Sequence, residues 1–269
     1  MSASPARGDR LASAVETTKF LRMRARQGDP DAGFRLGHRL TFCRDQARRN
    51  PAQAFRWFRA AAEAGHARAQ CYLGCCFQFG DGTHRDLRAA RRWYRRSAKA
   101  GHGGAAYNLG AMLRDGRGGP QKLRAAVRSL AIAASRGDPN GWNDWGHCLH
   151  EGIGGRRNLR TAAYCYLRAA RAGVLRAQFN LGLCYRDGDG VARNERRACF
   201  WFRRAARRGH PRASALLAEL VAARSRPRTR RRNRAPASRD EIARRARDLD
   251  TRRVAPVPWP RVRQALRKA

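Results

Sequence analysis

Residues Leu175–His210 read LRAQFNLGLCYRDGDGVARNERRACFWFRRAARRGH. The first part, Ala177 to Tyr185, carries apolar residues at helical spacing and runs into Gly188-Asp189-Gly190, a turn signal. The second part, Glu195 to Arg207, repeats the pattern and stops at Gly209, where a left-handed residue ends a helix. The spacing predicts a helix, a short glycine turn and a second helix, an αα-hairpin. One hairpin cannot bury its own apolar faces, so copies must stack on it.

The copies are present. The glycine of the first helix recurs as Gly37, Gly74, Gly110, Gly146 and Gly182, and the glycine closing the second as Gly65, Gly101, Gly137, Gly173 and Gly209. The second series is spaced by 36 throughout; the first departs once, with 37 between Gly37 and Gly74. A period of this size with two helices per unit predicts an all-α fold, a right-handed α/α solenoid of stacked antiparallel hairpins.

Working outward, residues 1–10 are small, polar and expected to be disordered. Residues 11–28 read as a half-repeat of the second-helix type, because Phe20-Leu21 precede Trp57-Phe58 by 37 residues. Five repeats fill 31–210. The linker of the first has no Gly-x-Gly turn, and the third replaces the aromatic pair with Ser129-Leu130. Residues 211–221 begin a terminal helix without a partner of the usual kind. The solenoid is thus expected over 11–221.

Residues 222–269 form an arginine-rich tail with 17 basic and 4 acidic residues. Ser238 and Glu241 make a capping-box pair there, which predicts a short helix over 238–250.

The motif Ala-x₃-Leu-Gly, then Gly-x-Gly, then Ala-x₂-Trp-Phe/Tyr-x₂-Ala, resembles the Sel-one-like repeat, a relative of the tetratricopeptide repeat. It stands as Ala177, Leu181-Gly182, Gly188, Gly190, Ala198, Trp201-Phe202, Ala205 and Gly209, and again as Ala69, Leu73-Gly74, Gly80, Gly82, Ala90, Trp93-Tyr94 and Gly101. The resemblance spans about Asp31 to Leu220. It implies that first helices line a concave, partner-binding face. Counted from the helix glycine, positions −2, +1 and +5 share one stripe. Tyr72, Asn108, Asp144, His147 and Asn180 on that stripe are the candidate groove residues, able to hydrogen-bond an extended peptide. A solvated face with inter-helix hydrogen bonds is the competing reading of the same residues.

The net charge is +39, with 59 basic and 20 acidic residues and only four lysines. Arginine forks suit phosphate and carboxylate, so a polyanionic partner is one reading. Compositional bias is another: it accounts for arginine over lysine but not for the shortage of acids. The run Arg224, Arg226, Arg228, Arg230, Arg231, Arg232 and Arg234 is a candidate polyanion-binding arm or nuclear-import signal.

No catalytic triad, carboxylate pair or phosphate loop stands out, and no cofactor is implied. Gly116-Arg117-Gly118-Gly119-Pro120 lacks the Lys-Ser/Thr of a phosphate loop. His147 and His150 are helical neighbours without an apparent third metal ligand, and the eight cysteines include no C-x₂-C pair. Cys76, Cys148 and Cys184 share one repeat slot and read as buried, reduced thiols, which predicts an intracellular, reducing compartment, nucleus or cytoplasm.

The absence of an apolar signal region in residues 1–10 argues against export, and no apolar run is long enough to span a membrane. The function expected is therefore a non-enzymatic protein-binding scaffold with a basic tail for electrostatic attachment or nuclear targeting. A nucleic-acid-binding protein is the first alternative. The second is a β-lactam-type hydrolase, which the resemblance raises through a cysteine-rich branch of the family. That branch is secreted and carries a disulfide ladder, and this sequence has neither a signal region nor regularly paired cysteines.

Overall fold

The computed structural model describes residues 18–42 and 49–225. The N-terminal ten residues, residues 11–17 of the half-repeat, Cys43 and the segment 238–250 lie outside the described residues.

Among the described residues all regular structure is helical. Residues 18–26 form α1. There follow α2 (Pro30–Phe42), α3 (Pro51–Glu63), α4 (Ala67–Phe79), α5 (Leu87–Lys99), α6 (Gly103–Arg114), α7 (Leu123–Ser135), α8 (Pro139–Glu151), α9 (Leu159–Arg171), α10 (Leu175–Asp187), α11 (Glu195–Ala206) and α12 (Pro211–Ser225). They group into two compact units, Met1–Asp138 and Pro139–Ala269. In the first, the hairpins α2/α3, α4/α5 and α6/α7 stack through α3 on α4 and α5 on α6. In the second, α8/α9 and α10/α11 stack through α9 on α10, and α12 covers α11. Within each unit successive helices from α2 to α7 and from α8 to α12 pack on one another, which is the packing of an α/α solenoid.

Side chains placed once per repeat set the helix starts. Asn50, Asp86, Asn158 and Asn194 precede α3, α5, α9 and α11, and each side chain accepts from a backbone N–H of the first turn. The same position before α7 is Lys122, which makes no such bond. Lys122→Asn is therefore expected to stabilise the fold by about 1 kcal/mol, the ordinary worth of a cap, read as a higher urea midpoint at unchanged slope.

The first helices α4 and α6 use histidine instead. Nδ1 of His66 accepts from Ala69 N, and Nδ1 of His102 from Ala105 N, both at 3.1 Å.

The repeated glycines separate into distinct physical roles. A Cβ on the helix glycine would strike the partner side chain of the second helix: the ring of Phe58 at 2.6 Å from Gly37, of Tyr94 at 2.8 Å from Gly74 and of Phe202 at 2.5 Å from Gly182. Leu130 does the same against Gly110 at 2.8 Å, so the third repeat keeps the contact without an aromatic ring. The first turn glycine ends the helix in the left-handed region, as at Gly80 (φ +84°) and Gly188 (φ +86°). The second turn glycine docks on the preceding repeat. A Cβ there would lie 2.1 Å from the Pro51 carbonyl oxygen at Gly82, and 2.0 Å from that of Leu159 at Gly190. The turn is thus the joint between successive hairpins as well as a bend.

Candidate functional site

The first-helix face of the first unit holds a pocket of about 660 Å³. Phe34, Arg35, His38 and Arg39 come from α2, Arg68 and Tyr72 from α4, and His102 from the cap of α6. Three successive first helices therefore build it. Spacings of one helical turn put His38 behind Phe34, and Tyr72 behind Arg68, on one side of each helix.

The walls are aromatic. Phe34 meets Tyr72 edge-on at 5.4 Å between centroids, and it stacks on His66 at 5.0 Å. His38 touches Tyr72 at 5.8 Å.

Arginines supply the pocket's positive charge. Arg35 is tied to Asp31 at 2.7 Å, and Arg39 donates to the Thr18 hydroxyl at 2.5 Å. No ion pair is made by Arg39 or Arg68 among the described residues. Burial raises the pKa of Tyr72 and outweighs the opposing pull of Arg68. Burial lowers the pKa of His102, and Arg68 and Arg136 push it the same way.

The fold accordingly prefers neutral His102, whose Nδ1 lone pair caps α6. A folded pKa below the unfolded value near 6.5 gives stability that is fully present above that value. It is lost as pH falls through the lowered folded pKa. His102→Asn keeps a capping acceptor without a proton to gain. Its stability should fall less than that of the parent between pH 7 and 5, as read by urea midpoints at each pH.

Of the predicted groove residues, Tyr72 lines this pocket, and Asn108 is half-buried on α6. The other three lie in the second unit. Asp144 is buried at 7% exposure; its Oδ1 accepts from Asn143 Nδ2 at 2.9 Å, and Asn143 Oδ1 accepts from Asn180 Nδ2 at 3.3 Å. A polar chain thus joins α8 to α10. His147 is exposed, whereas His150 lies between Glu151 (2.8 Å) and Asp189 (3.1 Å), tying the end of α8 to the turn after α10. Among the described residues no group of three or more His, Cys, Asp or Glu side chains is placed to hold a metal ion.

The sequence reading missed Arg39, Arg68 and His102. A signal for Arg68 existed: it stands one helical turn before Tyr72, on the same stripe.

Of the arginine run, Arg226, Arg228, Arg230, Arg231, Arg232 and Arg234 lie outside the described residues. Arg224 falls in α12, but its side chain is not among those described.

Elsewhere several arginines have structural work. Arg85 and Arg157 donate to the Gln78 and His150 carbonyls near the ends of α4 and α8, at 3.2 and 2.7 Å. Arg136 donates to Ala98 O at 2.6 Å, and Arg208 to Gly173 O, so each reaches back to the preceding repeat. On the second-helix face of the first unit, Arg56, Arg92 and Arg128 are exposed at one repeat position.

The seven described cysteines are free thiols. Burial pushes Cys76 and Cys184 up to about 12. Half-buried Cys75 is drawn down to about 7, chiefly by a hydrogen bond from Cys71 and then by one from the Tyr94 hydroxyl.

Comparison with known proteins places these elements in a family. The family model described as Sel1 repeat matches residues 30–66, 67–102, 104–138, 143–174 and 175–210. The solved structure of c5321, a protective antigen present in uropathogenic Escherichia coli strains and displaying an SLR fold, is 30% identical with a TM-score of 0.72. The match covers 77% of this chain and 44% of that one, so this chain spans less than half the length of the E. coli protein. A Sel1 repeat protein from Oxalobacter formigenes is 27% identical with a TM-score of 0.65, over 74% of this chain and 79% of that one. No curated protein matches.

Proposed function

We propose, from the premise that this chain belongs to the Sel1 repeat family, that it is a non-enzymatic scaffold which holds a protein partner on its first-helix face. Sel1 repeat solenoids commonly act as protein–protein interaction scaffolds. The observation that carries the reading is the pocket walled by α2, α4 and the cap of α6. It presents donors and aromatic surface together, the means by which a groove recognises an extended segment. Much of the polar chemistry around it, such as the His66 and His102 caps, holds helices and repeats together.

The basic tail would add electrostatic attachment or nuclear targeting. No helix among the described residues is long and apolar enough to cross a membrane. Buried free thiols fit a reducing compartment.

The in-register arginines Arg56, Arg92 and Arg128 favour a second reading, nucleic-acid binding. The two readings separate in one experiment. A partner retained by the tagged full chain through nuclease treatment and at 0.5 M salt supports the scaffold. Retention that vanishes with nuclease, and falls steeply with salt through counterion release, supports nucleic acid.

A further inference from the structure

We infer that the pocket at α2, α4 and α6 takes an acidic segment of a protein partner, a carboxylate side chain seated beside an aromatic or leucine side chain. The inference rests on the scaffold reading and names its partner chemistry.

The first argument is unspent charge. Arg35 has its carboxylate in Asp31 at 2.7 Å. Among the described residues Arg39 has only the Thr18 hydroxyl as a partner, and Arg68 has no hydrogen-bond or ion-pair partner. A guanidinium carries five donors in a planar fork that fits a carboxylate in two-point fashion. Two such forks on one small pocket, in a chain short of acids, call for an anion from outside.

The second argument is the apolar half of the lining. Half-buried Tyr72 offers ring surface to the same space as the arginines, and buried Phe34 backs it edge-on at 5.4 Å. Phosphate alone makes no use of such a wall, whereas an acidic residue flanked by an apolar one uses both halves.

The third is the state of His102. Its Nδ1 accepts from Ala105 N at 3.1 Å, which puts the proton of the neutral ring on Nε2. The ring therefore adds a hydrogen-bond donor.

The fourth is size. About 660 Å³ lies within the ordinary range of ligand pockets and holds a few side chains; it is no track for a duplex. The chain's own tail has the wrong sign to occupy it, with 17 basic and 4 acidic residues over 222–269.

The test is selection of phage-displayed random dodecapeptides on the full chain, followed by fluorescence anisotropy on the most enriched peptide. Three variants are compared with the parent: Arg68→Glu, Arg39→Glu and Arg56→Glu. Arg56 is exposed on the opposite helices, so its reversal makes the same change in net charge away from the pocket. Circular dichroism verifies that all three keep the parent's helicity.

The expected result is enrichment of Asp or Glu next to Phe, Tyr or Leu. Dissociation constants should rise at least tenfold for Arg68→Glu and Arg39→Glu, less than twofold for Arg56→Glu, and at least tenfold when the peptide's acids become amides. Three results overturn the inference: selected peptides without acidic enrichment; equal loss in Arg56→Glu and Arg68→Glu, which makes the attraction one of overall charge; or a single-stranded oligonucleotide that competes for the same arginines with equal affinity. A nuclease-resistant partner still held by Arg68→Glu would refute the pocket and leave the scaffold reading standing. Loss of every nuclease-resistant partner from the parent would refute the scaffold itself.

Discussion

Gly190→Ala should destabilise the fold by about 3 kcal/mol or more, and Gly209→Ala by only about 1 kcal/mol. Both positions have positive φ, +72° and +79°, so both alanines meet left-handed strain of about 1–2 kcal/mol. They differ in what surrounds the new methyl group. At position 209 nothing lies within 4 Å. At position 190 the methyl would stand 2.0 Å from the Leu159 carbonyl oxygen and 2.7 Å from Arg160 N, at the start of the preceding repeat's second helix. Backbone cannot swing aside as a long side chain can, so overpacking adds about 1–3 kcal/mol. Urea denaturation of the two variants checks the difference. Equal midpoints would mean that the turn glycine is needed for its dihedral alone.

Phe202→Ala should cost about 3–5 kcal/mol, whereas Phe200→Ala, two residues earlier on α11, should cost about 0.5 kcal/mol or less. Phe202 is fully buried with its ring against Gly182, and Phe200 is 52% exposed. The contact also predicts a sign. Gly182→Ala alone would place a methyl group 2.5 Å from the ring and lower stability. In the Phe202→Ala background that methyl group enters the vacated space, so the loss should shrink or reverse. A coupling energy above about 0.5 kcal/mol in the double-mutant cycle is expected. Additive effects would mean that the glycine is there for another reason.

These two contacts also mark what can be read from the chain alone. The hairpins and their 36-residue register are legible because five copies repeat one pattern, which averages away the irregularity of any single helix. Packing of the Trp-Phe position is legible for the same reason, even where Leu130 stands in for a ring. The second turn glycine is legible only as a bend. Its docking on Pro51 or Leu159 is a tertiary contact, and nothing local in the sequence announces a carbonyl from the repeat before.

The candidate site divides in the same way. Periodicity put Tyr72 on the first-helix face, where the pocket lies. Periodicity gives a face and no depth, so Asp144 and Asn180 fit the stripe equally well, yet Asp144 is buried and joined through Asn143 to Asn180. Arg39 and Arg68 went unmarked because arginine is everywhere in this chain. Only a structure separates those that cap helices, such as Arg85 and Arg157, from those left without a carboxylate among the described residues.

The most direct measurement places a photoreactive phenylalanine derivative at one exposed position at a time and maps the crosslinks formed with a bound, nuclease-resistant partner. His38 and His147 serve for the first-helix face of the two units, Arg56 and Arg196 for the second-helix face. The scaffold account predicts partner adducts from positions 38 or 147 and none from 56 and 196. Adducts confined to 56 and 196 would contradict it and move the binding surface to the arginine-bearing second helices.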